Sequence, residues 1–322
     1  MSTSVHPAQP AMLAVVQTSF GGPEVLRAVE TPVPEPGFTE VRVRVHATSV
    51  NPVETYIRGG RFALIGQPPF TLGWDVSGVV DKVGPGTSRF QVGDEVYGMP
   101  FFPRAASAYA QYVVAPSRML ARKPANLDHA HAAALPLTGL TAWQGLVDYA
   151  NVGDGDRVLV HAAGGGVGHL AVQIAKARGA YVIGTASGQK ADFVRSLGAD
   201  EVIDHRTADF ATAVRDADVV LDVVGGDYAE RSFGVLRPGG TFLTAVDHTD
   251  AELRAKAEAA GLRYRGIAVE PDHTALEALT ALVEEGRLRP HVSHTFALRD
   301  AARAHEVVEA GGVQGKVVLT TL

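Results

Sequence analysis

The sequence predicts an α/β protein of two domains, one an antiparallel, barrel-like β domain and the other a doubly wound parallel sheet. Three observations predict it. The chain has 322 residues, enough for two domains of roughly 100–200 residues each. Its texture changes after Pro124, from short β-branched runs to alternating strand and helix patterns. A glycine-rich turn also stands between an apolar strand and an amphipathic helix, Asp156 to Lys176.

Taken in order, Met12 to Ala121 holds short β-branched runs such as Val41–Val45, Val76–Val80 and Gln111–Val114, which read as strands. Pro32, Pro34, Pro36-Gly37, Gly84-Pro85-Gly86 and Val92-Gly93-Asp94 separate them with turns, the pattern of a barrel-like antiparallel domain. His129 to Tyr149 is rich in Ala and Leu and predicts a helical link, with Pro136 and Gly139 expected to kink or interrupt it. Strand-like runs then follow at Arg157–His161, Tyr181–Thr185, Glu201–Asp204, Val219–Val223 and Thr241–Val246. They alternate with helix-like runs at Val167–Arg178, Ala191–Leu197, Tyr228–Leu236 and Ala251–Ala260. Strand, helix, strand at this spacing implies a parallel sheet. Beyond Val269 only a helix, Thr274–Glu285, and a terminal strand, Val317–Thr320, are expected, too little for a third domain. The domains are therefore expected at 1–130, completed by 269–322, and at 131–268 for the parallel sheet.

Composition narrows the function. With 46% hydrophobic and 20% charged residues the chain can bury real cores, and its net charge of −6 offers no field for phosphate backbones. Nucleic acid and membrane surfaces are poor partners on that ground. There is no cysteine, which removes disulfides, thiolate zinc sites and a cysteine nucleophile together. No run of about 18 apolar residues occurs, and Met1–Pro10 lacks a basic stretch followed by an apolar one, so a cytoplasmic location is expected.

The strongest motif is Ala163-x-Gly165-x-x-Gly168, in a strand–turn–helix context that a second strand at Tyr181–Thr185 completes as a βαβ unit. Gly165 and Gly166 let the backbone approach a pyrophosphate, the N–H groups of Gly166 and Val167 open the helix toward it, and Gly168 permits close packing of helix on strand. Ala163 stands where the usual first glycine would, so the turn there must keep a conformation alanine can adopt. A dinucleotide is expected. An NAD site would place Asp or Glu about 20 residues beyond the turn, but the second strand ends Gly184-Thr-Ala-Ser-Gly-Gln-Lys190. The Ser187 hydroxyl and the Lys190 cation suit a 2′-phosphate, so NADPH is the expected cofactor.

These motifs resemble the medium-chain dehydrogenase/reductase superfamily, in its zinc-independent quinone oxidoreductase (zeta-crystallin-like) branch. The resemblance runs nearly end to end. It rests on Ser49–Arg58 (SVNPVETYIR), Leu72–Val80, Val92–Gly98, Ala108–Val113, Leu137–Trp143, the glycine turn, Leu197–Asp204 and Gly315–Leu319. It implies a GroES-like catalytic domain built from both chain ends, a Rossmann domain between them and substrate in the cleft. Zinc-dependent relatives carry a cysteine ligand in the early loop and a Gly-His-Glu segment, where this chain has Asn51-Pro-Val-Glu54 and Gly73-Trp-Asp75. No metal site is therefore expected.

Carried over by position, the resemblance puts Asn51 and Tyr56 near the nicotinamide and substrate, and Thr141 near the carboxamide. Ser187, Lys190 and His205 would surround the 2′-phosphate, His205 standing where the family often has tyrosine. Glu54 replaces a common aspartate and reads either as an edge of the pocket or as a solvated loop acid. Without a metal, the expected reaction is hydride transfer from NADPH to an acceptor already electrophilic, a quinone or an α,β-unsaturated carbonyl. Tyr56 is the first choice of hydrogen-bond donor to the acceptor oxygen, and Asn51 or a cofactor hydroxyl the second. The alternatives are an enoyl-thioester reductase and a non-catalytic nucleotide-binding structural protein. The resemblance also implies a homodimer, joined at a sheet edge formed by Thr241–Ala245 and Arg263–Val269.

Overall fold

The computed structural model describes residues 10–321. The Met1–Pro10 segment inspected above for a leader thus lies, Pro10 excepted, outside the described residues. The chain forms strands β1 (Ala11–Gln17), β2 (Leu26–Pro32), β3 (Glu40–Val50), β4 (Phe70–Thr71), β5 (Val76–Val83), β6 (Glu95–Gly98), β7 (Tyr112–Pro116) and β8 (Leu120–Arg122). These are followed by β9 (Arg157–Val160), β10 (Tyr181–Ala186), β11 (Glu201–Asp204), β12 (Ala217–Asp222), β13 (Leu236–Thr244) and β14 (Arg263–Gly266). The chain closes with β15 (Val292–Ala297) and β16 (Lys316–Thr320).

Strands β9 to β14 make one parallel sheet in the order β11-β10-β9-β12-β13-β14. The order reverses beside β9, and in such a sheet the crevice at the carboxyl end of that strand receives the ligand. Val158 and Val160 pack toward helix Gly168–Ala177 in the large core, whereas Leu159, Ile183 and Val220 face a second core with Phe210 and Phe242. Both faces are apolar, as a parallel sheet covered by helices on each side requires.

The first strands form antiparallel sheets around a core of Val41, Val43, Val45, Val76, Val80, Val96, Val113 and Leu120. The chain end returns to them: β16 pairs antiparallel with β3, Val317 opposite Val50, and β15 pairs parallel with β16. This brings residue 316 beside residue 51.

Three sequence expectations need correction. The 129–149 segment breaks at Pro136, as expected, but Gly139 lies inside a continuous helix, Pro136–Trp143. A Cβ there would stand 2.9 Å from Leu279 Cδ1, so Gly139 serves the approach of helix His273–Glu284 rather than a kink. The helix expected to reach Leu236 ends at Phe233, and β13 begins at Leu236, five residues before the expected Thr241. The Pro238-Gly239-Gly240 run lies inside the strand and accompanies a register shift between Ala217 and Val219 on the paired strand. Strand β15 and helix Ala301–Glu309 were not expected. No residue of β15 is buried, and its run Val-Ser-His-Thr-Phe-Ala gives only a weak apolar signal.

Candidate active site

The carboxyl end of β9 leads into the glycine turn, and helix Gly168–Ala177 leaves it. Ala162, not Ala163, takes the left-handed conformation, with φ at 48°, so Ala163 is accommodated by shifting the special backbone one residue earlier. Gly168 cannot be anything larger, because a Cβ would lie 2.3 Å from the Ala162 carbonyl oxygen and 2.7 Å from Ala163 Cα. Among the described residues the amides of Gly166 and Val167 find no backbone acceptor in the turn. Free amides at a helix start favour an anion.

Beside the turn a cavity of about 230 Å³ is lined by Ala162, Gly164, Gly165, Ser187, Lys190, His205 and Arg206, among others. Three residues expected from sequence therefore share one cavity with the glycine turn, and no carboxylate lines it. Arg206 is an addition. Its signal was available as a second basic residue directly after His205, at the end of β11. Lys190 donates from Nζ to the Val313 carbonyl at 2.6 Å, and burial lowers its pKa. A second cavity of about 280 Å³ is lined by Glu230, Asp247, Asp250, Glu252 and Lys256. Its four carboxylates repel a phosphate, so the smaller cavity is the candidate cofactor site.

Asn51 is buried at the N-terminus of helix Pro52–Arg58. Its Nδ2 donates to Asp75 Oδ2 at 2.8 Å and faces Glu54 Oε1 at 3.4 Å, while its Oδ1 accepts from Lys316 Nζ at 2.5 Å. The amide of Asn51 is thus fully engaged, and it is poorly disposed to donate to a substrate oxygen as well. Asp75 also accepts from Ser49 Oγ at 2.5 Å and from the Leu137 N–H at 2.7 Å. Lys316 is fully buried; its Nζ also donates to the Val50 carbonyl at 2.9 Å and lies 3.9 Å from Asp75 Oδ2, and burial lowers its pKa against the pull of Asp75 and Glu54. The sequence reading passed over Lys316 because a lysine at a strand start is usually solvated. Its stem connects the two parts of the site, since a Cβ on Gly166 would lie 3.3 Å from Lys316 Cδ and 3.4 Å from Thr138 Cγ2.

Glu54 is not the solvated loop acid of one sequence reading. It is fully buried, accepting from the Asn51 N–H at 2.8 Å and from Tyr109 Oη at 2.7 Å, and burial pushes its carboxyl up to about 7. Thr141 is buried in helix Pro136–Trp143 and donates its hydroxyl to the Leu137 carbonyl at 2.8 Å, which leaves only lone pairs for a ligand. Tyr56 is the opposite case. It is 45% exposed, stacks under Arg61 at 4.9 Å, and its hydroxyl has no hydrogen-bond partner among the described residues.

A metal does not fit. Among the described residues no group of three or more His, Asp or Glu side chains is placed to hold one. The buried set at Ser49, Asn51 and Asp75 is already engaged in hydrogen bonds among its own members and with Lys316 and the Leu137 N–H, which leaves no open group of ligands.

A family model described as an alcohol dehydrogenase GroES-like domain matches residues 37–125, and one described as a zinc-binding dehydrogenase matches residues 197–319. A quinone oxidoreductase of Pongo abelii is 34% identical over 97% of this chain and 98% of its own length. The solved structure of the quinone oxidoreductase from Coxiella burnetii, 37% identical, superimposes with a TM-score of 0.92 over 97% of this chain and 100% of that one. The pikromycin polyketide synthase component PikAII of Streptomyces venezuelae is 37% identical over 98% of this chain, which spans 9% of that far longer protein. With its parallel sheet, its glycine turn and likeness over nearly the whole length, the chain belongs to the medium-chain dehydrogenase/reductase superfamily, in the quinone oxidoreductase branch, and is an oxidoreductase.

Proposed function

We propose that this chain is a zinc-independent, NADPH-dependent oxidoreductase that reduces a quinone or an α,β-unsaturated carbonyl. One observation carries the cofactor choice: the cavity beside the glycine turn presents Lys190, Arg206, His205 and Ser187 and no carboxylate. A ribose 2′-hydroxyl asks for an acidic acceptor there, and a 2′-phosphate asks for cations and hydroxyls. Gly165, Gly166 and Val167 would hold the pyrophosphate and Thr141 would accept from the carboxamide. When bound, NADPH supplies the hydride.

The chain's own residues do the rest by positioning. Tyr56 offers the one unengaged hydroxyl on the helix that follows Asn51, and donates to the acceptor oxygen as negative charge grows on it. Asn51 holds the buried Lys316 in register rather than donating itself. Since no metal polarises the acceptor, its own electrophilicity must lower the barrier, which selects quinones and enones.

A second reading, an enoyl-thioester reductase, is favoured by the likeness to the polyketide synthase component. Turnover with NADPH and with NADH on a panel of quinones, enones and enoyl thioesters tests both. Preference for NADPH with quinones or enones is expected, and thioester turnover alone would replace the reading. Assembly as a homodimer is proposed through the edge formed by Thr241–Ala245 and Arg263–Val269, where β14 is one of the two edge strands of the parallel sheet. Light scattering that found only monomer at micromolar concentration would end that proposal. A cytoplasmic location remains part of the reading, and among the described residues no helix is long and apolar enough to cross a membrane.

A further inference from the structure

Helix Pro52–Arg58 has two faces with different lives. Glu54, Thr55, Ile57 and Arg58 are buried, and Tyr56 points out at 45% exposure. Glu54 and Arg58 lie one turn apart on the inner side, close enough in register for a common partner. Two residues from distant parts of the chain provide it. Tyr109 Oη lies 2.7 Å from Glu54 Oε2 and 3.0 Å from His305 Nε2, and His305 Nδ1 lies 3.1 Å from Arg58 Nη1. Gly73, at φ 98°, makes room for this, because a Cβ there would lie 2.4 Å from Tyr109 Cδ1.

The direction of each bond follows from chemistry. A guanidinium only donates, so His305 Nδ1 must accept and the imidazole proton sits on Nε2. That N–H donates to Tyr109, whose own hydroxyl proton is then free to donate to the Glu54 carboxylate. Arg58 is anchored in turn by Glu309 at 2.6 Å and by the Gly21 carbonyl at 3.2 Å. We propose that Tyr109 and His305 are positioning residues, forming a one-way clamp from Arg58 to Glu54 that fixes the inner face of this helix and thereby holds Tyr56, on its outer face, toward the acceptor. The inference rests on the reading of Tyr56 given above.

The clamp is tightest when Glu54 is a carboxylate. Tyr109 Oη and the Asn51 N–H both donate to Oε2, and a carboxyl protonated on Oε1 accepts from them more weakly than the ionised group does. The groups facing Glu54 are Asn51 from its own helix start, Asp75 ahead of β5, Tyr109 ahead of β7 and Lys316 from β16, with Arg58, His305 and Glu309 behind Tyr109. Asp75 opposes ionisation, and the Asn51 N–H, Tyr109 and Lys316 favour it. Burial dominates and brings the carboxyl to about 7, whereas His305 is held neutral, its pKa lowered to about 3 by burial and Arg58.

The test is the pH profile of kcat for NADPH-dependent quinone and enone reduction by the whole protein. Wild type should lose activity on the acid side around pH 7. Tyr109→Phe keeps the ring and removes the donor, so kcat should fall about 10-fold. Its acid limb should move up by about one pH unit or more, the worth of one hydrogen bond to a carboxylate. The NADPH Kd should stay constant. His305→Gln keeps one donor and one acceptor and should recover most of the activity that His305→Leu loses. The pair also serves if Tyr109→Phe does not fold. Wild-type kcat and an unmoved acid limb in Tyr109→Phe, or equal activity in the two His305 variants, would overturn the clamp while leaving the oxidoreductase reading intact. A wild type inert toward every quinone and enone would instead remove the reading and the clamp with it.

Discussion

Replacing Glu54 with glutamine should flatten the dependence of stability on pH. The side chain is fully buried, and burial raises its carboxyl from the ordinary 4.5 to about 7, with Asp75 adding to the rise and Asn51, Tyr109 and Lys316 opposing it. Because the folded value lies above the unfolded one, the native protein keeps this proton through a range where the unfolded chain has released it. The associated stability is therefore complete below pH ~4.5 and fades as pH climbs through 7. Between 4.5 and about 7, at ~1.4 kcal/mol per pH unit, the fade amounts to about 3 kcal/mol. Glutamine carries no ionisable proton, so the variant should gain about 3 kcal/mol on wild type between pH 4 and pH 9. Its absolute stability at one pH also reflects an amide pointed at Tyr109. Urea unfolding of both proteins across that range isolates the effect, since every other titrating group is shared. Parallel stability curves for the two proteins would refute the assignment of a protonated, buried Glu54 near neutrality.

Three further outcomes follow from the site. Lys190→Ala should weaken NADPH by ~1.5–3 kcal/mol, a charged hydrogen bond's worth, and NADH far less; equal losses in a titration of both cofactors would remove Lys190 from the 2′-phosphate. Tyr56→Phe should lower kcat ~10-fold to 1,000-fold with NADPH affinity unchanged, and more for an enone than for a quinone, because the quinone needs less polarisation. Full activity on both acceptors would end that role. Activity should also survive exhaustive chelation, and a tightly held zinc lost together with turnover would reverse the mechanism.

The order of local structure, and the chemistry tied to it, is written along the chain. Hydrophobic runs between breakers located β9 to β12 within two residues, because a buried parallel strand needs an unbroken apolar stretch. The glycine turn and the basic residues after β10 were legible for the same reason: a tight turn at a helix start restricts which residues can stand there. The start of β13 was expected five residues late, because Pro238-Gly239-Gly240 interrupts the apolar run inside the strand. The rest of the site depends on packing between distant segments. That packing set Lys316 against Asn51 and the glycine turn, and made Glu54 a buried acid joined to Tyr109 and His305. It also placed Arg206 in the cofactor cavity. None of these pairings is near in sequence, except Arg206 beside His205. A charged residue's environment is set by what the fold packs over it, and here β16 and helix Ala301–Glu309, from the far end of the chain, do the covering.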